Sequence, residues 1–188
     1  MKITTKTKLQ RTTKLYLPNL SRTVEWFGGV NFENLEKVTE SIKSLMVKDS
    51  TEIQLLINSY GGPTGVGMSF YDTMKIWLGD KLTTVGSGYV DSSGILVFLA
   101  GEKRFLTKNT TMLLHLAGRK FEAEKRFTTR DMEDMLREDK LKDYQYASVV
   151  SDATGNRYSP EKILDMMANN TVLTAEEAVN MGLAHKVI

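Results

Sequence analysis

The sequence predicts an α/β fold in which buried strands alternate with amphipathic helices. Three observations carry that reading. Residues 53–57 form a near-continuous apolar run, as expected of a strand covered on both faces. Leu35, Val38, Ile42 and Leu45 recur at helical spacing. Glycine-containing breaks (Gly28-Gly29, Gly61-Gly62, Gly86-Ser87-Gly88) punctuate runs of the two kinds. Strand and helix in alternation imply α/β units joined by right-handed crossovers.

Each element follows in order. Residues 23–27 read as a short strand closed by Gly28-Gly29, and residues 32–47 as the first helix. The strand at 53–57 ends at Asn58-Ser59-Tyr60-Gly61-Gly62-Pro63, which reads as a loop. Phe70, Met74, Trp77 and Leu78 make one face of the next helix. Residues 82–85 are a strand, ended by Gly86-Ser87-Gly88. Asp91 or Ser92 then caps a short apolar helix over 95–100, with Gly101 just past its end. Residues 104–106 and 112–114 are strand-like. A long charged helix is expected from 129 to 154, stopped by Gly155. Its middle, 137–143, reads mostly as a solvated face, with Glu138 and Lys142 placed for an i,i+4 pair. Ser159-Pro160 opens another helix, and Thr174-Ala175-Glu176-Glu177 is a capping box for the last. Gly182 ends that helix, and residues 184–187 return as a short strand.

Composition excludes several function classes. Lys plus Arg number 25 and Asp plus Glu 23, a net charge of +2, too even to imply a nucleic-acid or membrane partner. The local exception is residues 1–22, where Lys2, Lys6, Lys8, Arg11 and Lys14 occur with no acid before Glu25. This stretch reads as a flexible basic arm ahead of one domain over residues 23–188. It lacks the apolar run of a secretory signal, so a cytoplasmic location is expected, and no stretch is long enough to span a bilayer. The absence of cysteine removes disulfides, thiolate metal sites and a Cys nucleophile. No metal is expected. Only His115 and His185 can supply an imidazole.

Three segments could carry chemistry. In Gly88-Tyr89-Val90-Asp91-Ser92-Ser93-Gly94, a serine lies between a buried strand and a helix start, where backbone N–H groups can receive developing negative charge. A serine there is also a common helix cap. His115 closes the apolar strand Met112-Leu113-Leu114, a place where structural histidines also occur. The glycines after Ile57-Asn58-Ser59-Tyr60 fit either a tight turn or an anion-binding concavity.

Together these segments resemble a known family. Ile57-Asn58-Ser59-Tyr60-Gly61-Gly62 is similar to the "INSPGG" loop of the Clp protease proteolytic subunit (ClpP) family. Gly88 to Gly94 resembles its "GxAASMG" segment, and Met112-Leu113-Leu114-His115 its "xMIH" segment. Leu173-Thr174-Ala175-Glu176-Glu177-Ala178 with Met181-Gly182-Leu183 resembles "LSAxEAxxYGL". The resemblance runs from about Val24 to Val187. It implies a ClpP/crotonase-like fold of repeated β-β-α units with a protruding handle helix. It also implies a serine endopeptidase with Ser92 as nucleophile and His115 as base. Gly62 and Ser93 match the oxyanion-hole positions, Leu116 and Ala117 the strand that pairs with substrate, and Asn170 the third catalytic position. The family further implies peptide or unfolded-protein substrates, a homo-oligomer of heptameric rings, and a partner ATP-dependent AAA+ unfoldase of the Clp type. No cofactor is implied for the chain itself.

The resemblance also breaks in places. Asn170 stands where the family has an aspartate; its carbonyl can orient an imidazole but cannot stabilise the imidazolium by charge. Asp91 stands where the family has a small residue, and is read as a helix cap. The segment 119–128 lacks the glycine-rich sequence before the handle, and Ala168-Asn169 replaces an acid–Arg pair. Two rival readings follow: an inactive ClpP-like ring subunit, favoured by Asn170 and Asp91, and a crotonase-type acyl-CoA enzyme, which would need no serine and histidine in these places.

Overall fold

In a computed structural model the chain is described over residues 18–121 and 124–188. Most of the expected basic arm, residues 1–17, lies outside the described residues. Of the remainder, Leu20–Arg22 form a 3-10 turn. Arg22 is buried, and its guanidinium donates to the carbonyls of Leu45 and Thr51, both at 2.8 Å. A fork of N–H donors thereby satisfies carbonyls that end one helix and precede the next strand.

Five strands lie side by side in the order β1 (Thr23–Gly29), β2 (Ile53–Gly61), β3 (Leu82–Val90), β4 (Lys103–Leu106) and β7 (Lys186–Val187). Each neighbouring pair is parallel. Helices α1 (Phe32–Lys48), α2 (Thr64–Trp77) and α3 (Gly94–Leu99) connect the first four. Strand β5 (Thr111–Leu114) pairs parallel with the far end of β3, and antiparallel with β6 (Thr171–Thr174). The remaining helices are α4 (Thr129–Ala153), α5 (Pro160–Ala168) and α6 (Ala175–Met181).

Strands β2 and β3 run well past their expected ends. Beyond Ile57 the register shifts, and the chain continues in alternation with Ser59 and Gly61 buried and Asn58 and Tyr60 exposed. The supposed loop is therefore a strand with one wet face. Asn58 helps hold the two extensions together, its Oδ1 accepting the Tyr89 amide at 3.1 Å. Strand β6 was not expected at all.

The core forms where β1 and β2 meet α2. Trp26 and Phe70 are fully buried and stack edge to face with centroids 5.0 Å apart. Helix α3 is buried along its whole length, which explains its uniformly apolar sequence. Its end is tied to β3 by Thr84, whose hydroxyl donates to the Phe98 carbonyl at 2.7 Å. Helix α4 differs. Thr128 and Asp131 cap it reciprocally, and only Tyr146, Ala147, Val150 and Ser151 are buried. Lys142 and Glu138 form the expected pair. The expected capping box at Thr174 is present, with Glu177 Oε2 accepting the Thr174 amide at 2.8 Å. Among the described residues no helix is long and apolar enough to cross a membrane.

Candidate active site

The turn from β3 into α3 places Ser92 in the left-handed region, with φ +56°. A non-glycine residue there costs about 1–3 kcal/mol and persists only where its surroundings hold it. Two long-range bonds do so. The Ser92 amide donates to Leu113 O at 2.8 Å, and the Tyr146 hydroxyl donates to Ser92 O at 3.0 Å. Tyr146 is buried, and burial keeps its proton firmly bound. Gly61 lies against the serine side chain: a Cβ added there would stand 2.6 Å from Ser92 Cβ.

The neighbouring serines differ. Ser93 is 1% exposed and spends its hydroxyl on Gly62 O at 2.9 Å. Ser92 is half-buried, and its hydroxyl makes no hydrogen bond among the described residues. The backbone amides of Gly62 and Ser93 likewise find no acceptor among the described residues. Gly62 has no room for a side chain, since a Cβ would sit 2.1 Å from Val30 O. Two unpaired amides tied together beside a free hydroxyl form a ready site for an oxyanion.

His115 follows β5 directly. Leu113, two residues earlier, accepts the Ser92 amide, which brings the His115 and Ser92 segments together. The β5–β6 ladder ends at Leu114↔Thr171, so His115 and Asn170 are the residues just beyond its last pair. Asn170 is exposed and left-handed, φ +49°, and its amide donates to Met167 O at 3.1 Å as the chain leaves α5. No hydrogen bond joins His115 to Ser92 or to Asn170. The three residues are assembled on adjoining backbone but not linked through side chains, as is common before substrate tightens a site. The other histidine is engaged elsewhere: His185 Nδ1 accepts the Arg104 amide at 3.0 Å, and burial lowers its pKa.

Leu116 and Ala117 lie beyond the end of β5 in irregular chain, with Leu116 40% exposed. The Ala117 amide is already occupied, donating to Asp143 Oδ1 at 3.0 Å. Asp91 does not cap α3 through its side chain as expected. The N-cap is Ser93, and Asp91 Oδ1 instead accepts the Leu113 amide at 2.9 Å. The reason is reach: β5 presents an unpaired amide beside the carboxylate. Burial pushes the Asp91 carboxyl up, opposed by that amide and by the charge of His115. Asp143 behaves alike. Burial raises it and Asp139 adds to the rise, while the Ala117 amide and His115 draw it down.

Sequence reasoning missed Asp143 and Tyr146. Both lie in the long charged helix, whose middle reads as solvated, yet they are three residues apart and so share a face. That spacing, with an aromatic amid charges, was the available signal.

The Clp protease family profile matches residues 10–188. The chain is 29% identical over 170 residues to ATP-dependent Clp protease proteolytic subunit 3 of Rhizobium etli, covering 89% of this chain and 84% of that protein. It is 29% identical over 163 residues to proteolytic subunit 2 of Pseudomonas aeruginosa, covering 86% and 78%. Among solved structures, ClpP1 from Listeria monocytogenes superposes with a TM-score of 0.73 at 30% identity, covering 89% of this chain and 91% of that one. An asparagine-to-aspartate variant of the same ClpP1 gives 0.78 at 28% identity over the same shares. The parallel sheet, its helices and the expected ClpP-like fold thus agree, and the chain belongs to the Clp protease family.

Proposed function

We propose that this chain is a serine endopeptidase that hydrolyses peptide bonds through an acyl-enzyme. Ser92 Oγ adds to the scissile carbonyl carbon while His115 takes its proton. The oxyanion is received by the amides of Gly62 and Ser93. His115 returns the proton to the leaving amine, leaving an ester on Ser92, and then activates the water that hydrolyses it. Asn170 orients the imidazole through its side-chain oxygen, and Leu116 with the Ala117 carbonyl offers backbone to an extended substrate. The carrying observation is the pair of unpaired amides beside the free Ser92 hydroxyl. Peptides or unfolded proteins are the substrates, within a homo-oligomer of one or two heptameric rings in the cytoplasm, fed by a Clp-type AAA+ unfoldase.

Fluorophosphonate labelling followed by peptide mass spectrometry tests the nucleophile. The adduct is expected on Ser92 and absent from Ser92→Ala. An adduct on Ser93 in peptidase-active protein would overturn the assignment.

A second reading, an inactive structural ring subunit, is favoured by the absent His115–Asn170 bond and by a local reason for asparagine. A left-handed residue after a helix is commonly Gly or Asn. Short fluorogenic peptides separate the readings: under the second, the wild type matches Ser92→Ala in the assembled protein.

A further inference from the structure

Two carboxylates hold the segment that carries His115, one before it and one after it along the chain. Asp91 Oδ1 accepts the amide of Leu113 and Asp143 Oδ1 that of Ala117, so the bonds fall two residues before and two after the histidine. The two aspartates come from different elements, the β3–α3 turn and the buried side of α4. Neither forms a salt bridge with a Lys or Arg, so their charges are not already neutralised by one among the described residues. His115 lies close enough to both to draw each carboxyl down a little.

We propose that Asp91 and Asp143 are positioning residues that hold the His115 segment and supply the negative field for its imidazolium. This rests on the reading of His115 as the general base. When His115 takes the Ser92 proton it becomes a cation, and a neutral Asn170 gives that cation no charge partner. Two carboxylates in half-buried surroundings do so through space. Asp91 and Asp143 are the two carboxylates hydrogen-bonded to the His115 segment. Asp139 adds negative charge behind Asp143, but is paired with Arg119 at 2.7 Å. Tyr146, buried beside Asp91, stays neutral. The same face of α4 therefore serves both partners: Asp143 holds the base's segment and Tyr146 the nucleophile's carbonyl.

The test uses the full chain labelled with 13C-histidine. Only two histidines exist, so two titrations appear, with His185 as internal control. Asp91→Asn and Asp143→Asn each keep a side-chain oxygen for the backbone amide while removing the charge. Each is expected to lower the His115 midpoint relative to the wild type, the double variant by more, with His185 unmoved. In turnover, the same shift reads as a fall in kcat with little change in KM, and the acid limb of the rate profile moves to lower pH. Asp143→Glu, which restores the charge, is expected to recover the midpoint in part. An unchanged His115 midpoint in both single variants overturns the proposal. Because titration needs no turnover, this outcome is distinct from failure of the peptidase reading, which shows instead as unlabelled Ser92 in the wild type.

Discussion

Asn170 is the residue on which the peptidase reading is most exposed. Its left-handed backbone makes alanine a poor probe, because strain there adds about 1 kcal/mol of instability unrelated to catalysis. Asn170→Gly keeps the conformation and removes the side chain. It is expected to leave the melting temperature near the wild type while lowering peptide turnover; unchanged turnover would mean that Asn170 does not orient His115. Asn170→Asp tolerates the same backbone and adds a carboxylate to the candidate site, so turnover is expected to rise. The gain is limited by Asp91 and Asp143, whose charges already act on His115. Gly61 offers a harsher test. A methyl group there meets Ser92 Cβ at 2.6 Å and Asp91 O at 2.8 Å, with its own φ at +90°. Gly61→Ala is expected to cost about 2 kcal/mol or more in chemical denaturation and to abolish fluorophosphonate labelling.

Two elements carry the site from a distance. Removing the Tyr146 hydroxyl in Tyr146→Phe leaves Ser92 O with the Ile95 amide as its remaining donor, and about 1 kcal/mol of stability is expected to go. Labelling of Ser92 should slow as well; labelling at the wild-type rate would show that α4 does not hold the nucleophile's turn. Thr174→Ala removes the capping box of α6 and costs about 1 kcal/mol, measured by denaturation, with the site untouched. How far these elements were legible depended on what the signal measured. Helix caps at Ser159 and Thr174 are local chemistry and were read correctly. The ends of β2 and β3 were not. Asn58-Ser59-Tyr60-Gly61 and Gly86-Ser87-Gly88 carry the polar and small residues of loops, but here they form strand with one wet face or close backbone approach. Strand β6 buries only Leu173, so no hydrophobic pattern could mark it. Its partner β5 lies about sixty residues away, and that pairing ends one residue short of both His115 and Asn170. The bonds of Tyr146 and Asp143 to the site are likewise long-range, and a charged helix gives little sign of which face is covered. Ser92 and His115 were singled out because their segments resemble a family, not because composition or periodicity required them.

Among the described residues, the places where apolar side chains stand exposed include the sheet ends and the long helix. Phe27, Tyr60 and Tyr89 stand 51%, 70% and 59% exposed near the ends of β1, β2 and β3, and Met132, Leu136 and Leu141 are exposed along the first half of α4. Arg119 binds Glu138 and Asp139, folding its segment over that half of α4. Surfaces of this kind support the proposed ring assembly. Light scattering at micromolar concentration is expected to give a mass several times the 21.2 kDa chain, and a stable monomer would contradict it. The burial of Trp26 has a use of another kind. Its indole N–H donates to Gly29 O at 3.3 Å, next to Val30, whose carbonyl oxygen fills the space a Gly62 side chain would need. Trp77, the other tryptophan, is only partly buried, with Lys43 Nζ 5.1 Å from its ring centroid. With Trp77→Phe, Trp26 is the sole indole emitter, a shielded blue fluorophore a short step along the backbone from the oxyanion amide. Acylation of Ser92 can then be followed in real time by intrinsic emission, on any unlabelled peptide.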